Sequence, residues 1–131
     1  MSRLDEVAKI NRECFTSDDP YSDLVYLKCA LWSDNFNIVT TSIDKKVVGY
    51  IIYHDCGSHI ESIRRAVTKE ARGEGIGIKL SKRLTSIARK ANKEIFTYVA
   101  KSNLPSLNSN LKVGYRIVEI GADWVYLRYK V

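Results

Sequence analysis

Few residues in this sequence break or cross-link the chain. Its 131 residues include 2 prolines and 3 cysteines, and no segment is rich in both proline and glycine. No internal repeat or low-complexity stretch is present, and no apolar run approaches the roughly 20 residues that cross a bilayer. A chain of this length can bury a core of its own. We therefore predict a single domain over residues 1–131, with no membrane partner.

The cysteines and the N-terminus both predict a cytoplasmic protein. Cys14, Cys29 and Cys56 are an odd number and form no C-x-x-C pair, so we interpret them as reduced, mostly buried thiols. The first ten residues, MSRLDEVAKI, are acidic and amphipathic, unlike a secretory signal. We expect no metal.

The charge balance favours an anionic partner. The formal net charge is +6, which suits nucleic acid, an acidic protein or a phosphorylated cofactor. No aromatic–basic strand signature or known nucleic-acid motif is present, so nucleic acid is the least favoured of the three.

Hydrophobic periodicity predicts alternating helices and strands. A first helix capped by Ser2 precedes a second helix that starts at Ser22. Strands are predicted over 36–43, 46–54, 59–68, 94–100, 115–120 and 124–131, and further helices over 78–92 and 104–114. The order α-α-β-β-β-α-β-α-β-β predicts an α/β fold whose mixed central sheet is flanked by helices.

A glycine segment, ARGEGIG (residues 71–77), joins the third predicted strand to the central helix. Glycines permit positive φ and a close approach of ligand to backbone. The first turn of a helix adds free N–H groups and a positive dipole end. With Arg72 alongside, the segment predicts a site for phosphate or pyrophosphate. Its spacing fits neither a Walker A loop nor a Rossmann loop.

Two separated motifs give the sequence a family resemblance. RGEGIG fits the pattern [QR]-x-x-G-x-[GA] at Arg72, Gly75 and Gly77, and N-x-x-[SA] followed by K-x-G-[FY] occurs as NLPS (103–106) and KVGY (112–115). On these motifs the chain resembles the GNAT superfamily of N-acetyltransferases over nearly its whole length. Its N-terminal half is most similar to ribosomal-protein alanine acetyltransferases. The resemblance implies the GNAT fold, here without the family's usual first strand.

The resemblance also implies acetyl-coenzyme A as the cosubstrate. Its pyrophosphate would bind the glycine segment, and its pantetheine arm would pair with the preceding strand where two strands splay apart. The Val67 N–H would polarise the thioester carbonyl as a small oxyanion site. The cofactor-binding residues implied are Ala66, Val67, Thr68, Arg72, Gly73, Glu74, Gly75, Ile76, Gly77, Ile78, Asn103 and Ser106.

Acetyl transfer requires a neutral amine, so a base must take a proton. Some family members carry a base glutamate at the position of Glu61. By strand alternation, Glu61 should share the face of Val67. His59 should lie on that face, and Arg65 there could bind an acidic part of the acceptor. The structural alternative pairs Glu61 with Arg65 or a lysine. Arg64 and Arg65 are unusual in a central strand, and we expect a cleft or a carboxylate to accommodate their charge.

Two catalytic residues of the family are missing. Asn110 replaces the tyrosine that protonates the leaving thiolate in many members, and could donate a hydrogen bond to sulfur instead. Tyr98 replaces the catalytic glutamate of the ribosomal-protein enzymes. Tyr98 or Tyr115 could supply a proton.

Two functional hypotheses follow. One is an N-acetyltransferase that acts by direct attack in a ternary complex on a protein amine (an N-terminus or lysine) or on a small amine. The other is a degenerate GNAT domain that binds coenzyme A as a regulatory or interaction module. The oligomeric state stays open, a homodimer included.

Overall fold

The computed structural model describes residues 3–16, 18–33 and 35–131. Within them the helices and strands follow the predicted order. They are α1 (Arg3–Cys14), α2 (Leu24–Ser33), β1 (Phe36–Ile43), β2 (Lys46–Asp55), β3 (Ile60–Val67), α3 (Ile76–Ala91), β4 (Ile95–Ala100), α4 (Leu104–Val113), β5 (Arg116–Ile120) and β6 (Trp124–Tyr129). Ser2, the predicted cap of the first helix, lies outside the described residues.

The six strands form one sheet in the order β1-β2-β3-β4-β6-β5. Neighbouring strands are antiparallel, except that β3 and β4 are parallel and are connected through α3. The predicted mixed α/β sheet is therefore confirmed, and in the described part of the chain no strand precedes α1.

Two apolar clusters pack on opposite faces of the sheet. Leu80, Leu84 and Ala88 of α3 pack with Ile95 of β4 on one face, together with half-buried residues of α4. Val7 and Ile10 of α1 and Leu27 of α2 pack with Tyr50 and Ile52 of β2 on the other. We call these the α3/α4 face and the α1/α2 face.

Two helices begin elsewhere than predicted. α2 begins after Asp23, whose carboxylate accepts from the N–H groups of Val25 at 2.8 Å and Tyr26 at 3.3 Å. Ser22, the predicted start, ends a short 3₁₀ turn and is buried. α3 begins at Ile76 instead of residue 78, because the left-handed Gly75 ends the preceding turn and serves as its N-cap.

The cysteines are less buried than predicted. Cys14 and Cys56 are half-buried and Cys29 is exposed, so the expectation of mostly buried thiols is wrong. Cys14 ends α1 and Cys56 lies in the turn between β2 and β3, where each keeps one side open to solvent. No helix among the described residues is both long and apolar enough to cross a membrane.

Candidate active site

β3 and β4 diverge in the middle of the sheet. They pair at two positions, Ile60 with Ile95 and Glu61 with Phe96, although β3 continues to Val67. The predicted splay is therefore present. A cavity of about 300 Å³, which we call the splay cavity, fills the gap. It is lined by Phe15, Ile51, Ser62, Ile63, Arg64, Arg65, Ser81, Thr97, Tyr98, Val99, Ala100, Asn103, Ser106, Asn110 and Trp124.

The backbone of Val67 is turned into this gap. Thr68 N donates to the Val48 carbonyl of β2 at 2.8 Å, and successive residues of a strand direct their hydrogen bonds to opposite sides. The Val67 N–H therefore points away from β2, toward the diverging β4. A strand amide in this position can pair with an extended ligand or donate to a carbonyl oxygen.

A β-bulge at Ile63 interrupts the alternation of side chains along β3. Ile52 of β2 lies opposite Arg64, whereas the next residue, Tyr53, lies opposite Ser62. Ile63 therefore has no partner on β2. Because this extra residue shifts the alternation by one, residues on the two sides of Ile63 that would share a face in a regular strand lie on opposite faces of the sheet.

The bulge places Glu61 on the α1/α2 face. Glu61 lies opposite His54 in the register of β2 and β3. The His54 ring stacks on Phe36, which packs against the α1/α2 cluster, whereas Val67 packs against the α3/α4 cluster. The prediction that Glu61 shares a face with Val67 and Arg65 is therefore wrong.

Glu61 and His59 lie together, as predicted. Glu61 Oε1 is 3.5 Å from His59 Nε2, and the Glu61 side chain is 49% exposed. Neither residue lines the splay cavity. Glu61 occupies the last paired position before the splay and immediately precedes Ser62, which does line the cavity.

Arg65 reaches beneath α3 and α4. Its Nη1 donates to the Gly77 carbonyl at 3.2 Å and to Ser81 Oγ at 2.7 Å. Its Nη2 donates to Ser109 Oγ at 2.6 Å and to Ser106 Oγ at 3.4 Å. Burial lowers the pKa of this guanidinium, yet an arginine stays charged in a protein. Within the described residues its partners are hydroxyls and a carbonyl, and none is a carboxylate.

Arg64 has the opposite environment. It extends to the α1/α2 face, where its Nη2 donates to Asp19 Oδ2 at 2.5 Å and its guanidinium lies 4.3 Å from the centroid of the Phe15 ring. We expected a carboxylate or a cleft to accommodate the charges of these two adjacent arginines. Arg64 has the carboxylate of Asp19, and Arg65 lines a cleft. The proposed pairing of Glu61 with Arg65 does not occur.

A second cleft of about 590 Å³ runs from the splay along the glycine segment to α4, and we call it the glycine cleft. Of the twelve residues predicted to bind the cofactor, ten line it: Ala66, Val67, Arg72, Gly73, Gly75, Ile76, Gly77, Ile78, Asn103 and Ser106. Thr68, which is buried, and Glu74, which is exposed, do not line it. Phe15, Arg65, Asn103 and Ser106 line both cavities, so the two adjoin.

The glycines are required by backbone conformation and leave open space. Gly73 and Gly75 have φ of +85° and +76°, and a Cβ built on either would meet nothing within 4 Å. Because side chains disfavour this region, glycine is the residue that fits. Gly75 is the N-cap of α3, so the N–H groups of the first turn face the glycine cleft unpaired within the helix.

The sequence did not predict the contribution of α1 and of Ser109. Cys14 and Phe15 at the end of α1 line the glycine cleft with Ser109 of α4. Arg72 joins α1 to the end of β3, because its Nε donates to the Val67 carbonyl at 3.2 Å and its Nη2 to Cys14 Sγ at 3.3 Å. No local pattern signals the contact of Arg72 with Cys14 or that of Arg65 with Ser109, since these pairs lie 58 and 44 positions apart.

Asn110, Tyr98 and Tyr115 differ in how well each could donate a proton or a hydrogen bond to a leaving thiolate. Asn110 is buried and lines the splay cavity, but its Nδ2 already donates to the Ser106 carbonyl at 2.9 Å. Burial raises the pKa of Tyr115 well above its ordinary value, which makes it a poor acid. Tyr98 is exposed and lines the splay cavity, so it is the better placed of the two tyrosines.

A family assignment follows from comparison with known proteins. The profile of the Acetyltransferase (GNAT) family matches residues 4–115. The chain belongs to the GNAT acetyltransferase family. A search of curated proteins found no match.

Solved structures agree with this GNAT fold. The ribosomal-protein-alanine N-acetyltransferase of Brucella melitensis has a TM-score of 0.83 at 19% identity, covering 98% of this chain and 94% of that one. The protein smu.2055 of Streptococcus mutans has a TM-score of 0.85 at 16% identity, with 97% and 92% covered. The PaiA N-acetyltransferase of Thermoplasma acidophilum, solved with coenzyme A, has a TM-score of 0.71 at 18% identity, with 92% and 74% covered. At these identities the likeness concerns the fold alone.

Proposed function

We propose that this GNAT protein is an acetyl-CoA-dependent N-acetyltransferase that acts on a primary amine by direct attack in a ternary complex. The observation that carries the proposal is the path from the glycine cleft, past the backbone of Val67, into the splay cavity. It gives one end suited to an anion and another suited to a reacting amine, with a strand amide between them.

The cofactor would bind by its charge and by strand pairing. Its diphosphate would accept from the amides that begin α3 and from Arg72, because a helix N-terminus attracts anions. The half-buried charge of Arg65 lies beneath the same turn, with its Nη1 3.2 Å from the Gly77 carbonyl. The pantetheine amides would pair along β3, and the thioester oxygen would accept from the Val67 N–H. The PaiA N-acetyltransferase, which shares this fold, was solved in complex with coenzyme A.

The chemistry is a single displacement at the thioester. The amine nitrogen attacks the carbonyl carbon, the C–N bond forms, the C–S bond breaks, and the electron pair leaves on sulfur as a thiolate. The nitrogen loses one proton. The Glu61 carboxylate would take it through water, since Ser62 lines the splay cavity and Glu61 does not. His59 at 3.5 Å would hold that carboxylate in position.

The leaving thiolate needs little assistance. A thiol has a pKa of about 8.5, so its anion is a tolerable leaving group at neutral pH. Tyr98 would supply a proton from the wall of the splay cavity, and the second N–H of Asn110 could bond the sulfur. We therefore expect transfer without the tyrosine that many relatives have.

The lining of the splay cavity favours an acceptor with one amine beside an apolar group. Phe15, Tyr98 and Trp124 supply aromatic surface, and the described lining contains two arginines and no carboxylate. Because Asp19 neutralises Arg64, Arg65 supplies the charge that repels a polycation, which argues for a protein N-terminus or lysine over a polyamine. A contact of Arg65 with an acidic group of the acceptor stays a prediction.

Two measurements test the proposal. Calorimetry with coenzyme A should give one site per chain, and release of free thiol from acetyl-coenzyme A should rise when peptides with free N-termini or lysines are added, more than with spermidine. Binding without thiol release for any amine would favour the degenerate, regulatory GNAT domain. An absence of coenzyme A binding would overturn both readings.

A further inference from the structure

A cluster of metal-ligating side chains lies at the turn between β2 and β3. A ring nitrogen of His54, Sγ of Cys56 and a carboxylate oxygen of Glu61 lie within 4.8 Å of one another. The three residues come together because His54 and Glu61 face each other across the two strands, and Cys56 follows in the turn. No spacing motif in the sequence marks such a site.

The spacing of two ligands already matches a tetrahedral metal ion. Cys56 Sγ lies 3.5 Å from His54 Nδ1. A zinc ion with Zn–N near 2.1 Å and Zn–S near 2.3 Å in tetrahedral geometry places these two atoms about 3.6 Å apart. Glu61, whose side chain is 49% exposed, can complete the set by rotation of its side chain alone.

The turn holds the ligands in place. The His54 ring stacks on Phe36 with a centroid separation of 4.6 Å and an interplanar angle of 7°. Cys56 N donates to the His59 carbonyl at 2.9 Å, which closes the turn. Asp55 accepts from Gly57 N at 2.9 Å and from Lys93 Nζ at 2.8 Å. These contacts restrain His54 and the turn that carries Cys56 before a metal binds, so the main entropy loss on binding falls on the Glu61 side chain.

The local charge also favours a cation. The carboxylates of Glu61 and Asp55 both lie close enough to the Cys56 thiol to act on it electrostatically, and negative charge of this kind attracts a cation. His59 Nδ1 lies 2.9 Å from Ser58 Oγ, while its Nε2 lies 3.5 Å from Glu61 Oε1. His59 therefore contacts the Glu61 carboxylate from outside the cluster, and a water can provide the fourth ligand. A set of thiolate, imidazole and carboxylate suits Zn²⁺ and excludes Mg²⁺ or Ca²⁺ as the preferred ion.

We propose that His54, Cys56 and Glu61 bind a thiophilic divalent cation of the zinc class at the β2–β3 turn. The Cys56 thiol gives its proton to solvent and the sulfur binds as thiolate. A second consequence rests on the proposed function. Because a coordinated Glu61 cannot accept a proton, occupation of the site inhibits acetyl transfer.

Cobalt titration tests the site independently of activity. The full chain, stripped with chelator, should bind one Co²⁺ with a thiolate-to-cobalt charge-transfer band and visible bands of tetrahedral intensity, and one equivalent of Zn²⁺ should displace it. Cys56→Ser should abolish the charge-transfer band, and His54→Gln should weaken cobalt binding by at least about tenfold. Cys29→Ser removes a thiol on α2 and should leave the band unchanged.

Three results would overturn the site. They are a wild-type protein without a charge-transfer band, a band that survives in Cys56→Ser, or a band that is lost in Cys29→Ser. The inhibitory consequence has its own readout in acetyl transfer with and without Zn²⁺, where wild type should be inhibited and Cys56→Ser should not. Equal inhibition of both would overturn that consequence. A protein that binds cobalt but transfers no acetyl group would count against the proposed function and leave the metal site standing.

Discussion

The two faces of β3 accommodate adjacent arginines in different ways. On the α1/α2 face, Arg64 is neutralised by Asp19 and stacks over Phe15. On the α3/α4 face, Arg65 is half-buried among Ser81, Ser109 and a backbone carbonyl, with no carboxylate among its described partners. Burying an uncompensated charge is costly. A face that retains such a charge is suited to an anionic ligand.

The difference separates two tasks. The α3/α4 face carries the glycine segment and Arg65, which together suit a phosphorylated cofactor. The α1/α2 face carries Glu61 and His59, which suit removal of a proton. The bulge at Ile63 makes this division, because it moves Glu61 to the face opposite Val67. Variants on each face should therefore affect different kinetic parameters.

The largest expected effect is on the α1/α2 face. Glu61→Gln removes the proposed base without changing its size, and kcat should fall by about 10²- to 10⁴-fold. The affinity for coenzyme A should stay unchanged, because the proposed cofactor site lies on the other face. Glu119→Gln, on the exposed strand β5, is the matched control for steady-state kinetics. A Glu61→Gln enzyme with normal kcat would remove Glu61 from the mechanism.

The next effect is on the α3/α4 face. Arg65→Met removes the half-buried charge beneath α3 and should weaken coenzyme A binding by about ten- to a hundredfold, the range for a charged interaction of about 1.5–3 kcal/mol. Calorimetry measures it, with Arg64→Met as the matched variant on the opposite face. If the two variants lose equal affinity, the comparison between the faces fails.

Substitutions at Gly77 test the same role of Arg65 by pushing its guanidinium aside instead of removing it. A Cβ at Gly77 would lie 3.6 Å from Arg65 Cζ, which is ordinary contact. Gly77→Ala should therefore bind coenzyme A nearly as well as wild type. Gly77→Leu should displace the guanidinium and weaken binding by about tenfold, less than Arg65→Met because the charge remains nearby. Equal affinities of the Ala and Leu variants would show that Arg65 is not displaced.

Arg64 should affect stability more than binding. Arg64→Met leaves Asp19, whose side chain is 15% exposed, without its charged partner. The free energy of unfolding should fall by about 1–3 kcal/mol in urea denaturation. In the double variant Arg64→Met/Asp19→Asn the losses should be less than additive, because both changes break one interaction. Additive losses would mean that the pair does not interact.

The smallest effect concerns the ion pair of Glu94 and Arg128, which lies away from Arg64 and Arg65. Arg128 lowers the pKa of Glu94 through hydrogen bonds of 2.6 and 2.7 Å. A carboxylate whose pKa is lower in the folded state stabilises the fold above its unfolded pKa of about 4.3, and the stabilisation is lost as pH falls through the folded value. The Glu94→Gln variant should therefore unfold at a lower urea concentration than wild type near neutral pH. At acid pH, below the folded pKa of Glu94, the two proteins should unfold at the same urea concentration. A difference that persists in acid would assign the effect to packing.

The order of elements and the anion-binding end of the site could be predicted from the sequence because their signals are local. Apolar periodicity marks the helices and strands, and glycines with an arginine mark the turn before α3. Ten of the predicted cofactor residues duly line one cleft. Helix starts were less accurate, because the cap at Asp23 and the left-handed Gly75 compete with equally plausible neighbours.

The face of Glu61 could not be predicted. Alternation along β3 assumed an unbroken strand, whereas register depends on the pairing with β2, and the inserted Ile63 has no distinctive sequence signature. The partners of Arg64 and Arg65 were open for the same reason, since they come from the segment between α1 and α2 and from α3 and α4. The cluster of His54, Cys56 and Glu61 likewise depends on two strands and their turn.

By itself, the sequence determined a GNAT-type order of elements and a glycine turn able to hold an anion, because both depend on residues near one another in the chain. Only the tertiary structure decided which face each charge of β3 occupies and which groups meet it. Those choices depend on strand register and helix packing, where a single inserted residue exchanges the two sides of a strand.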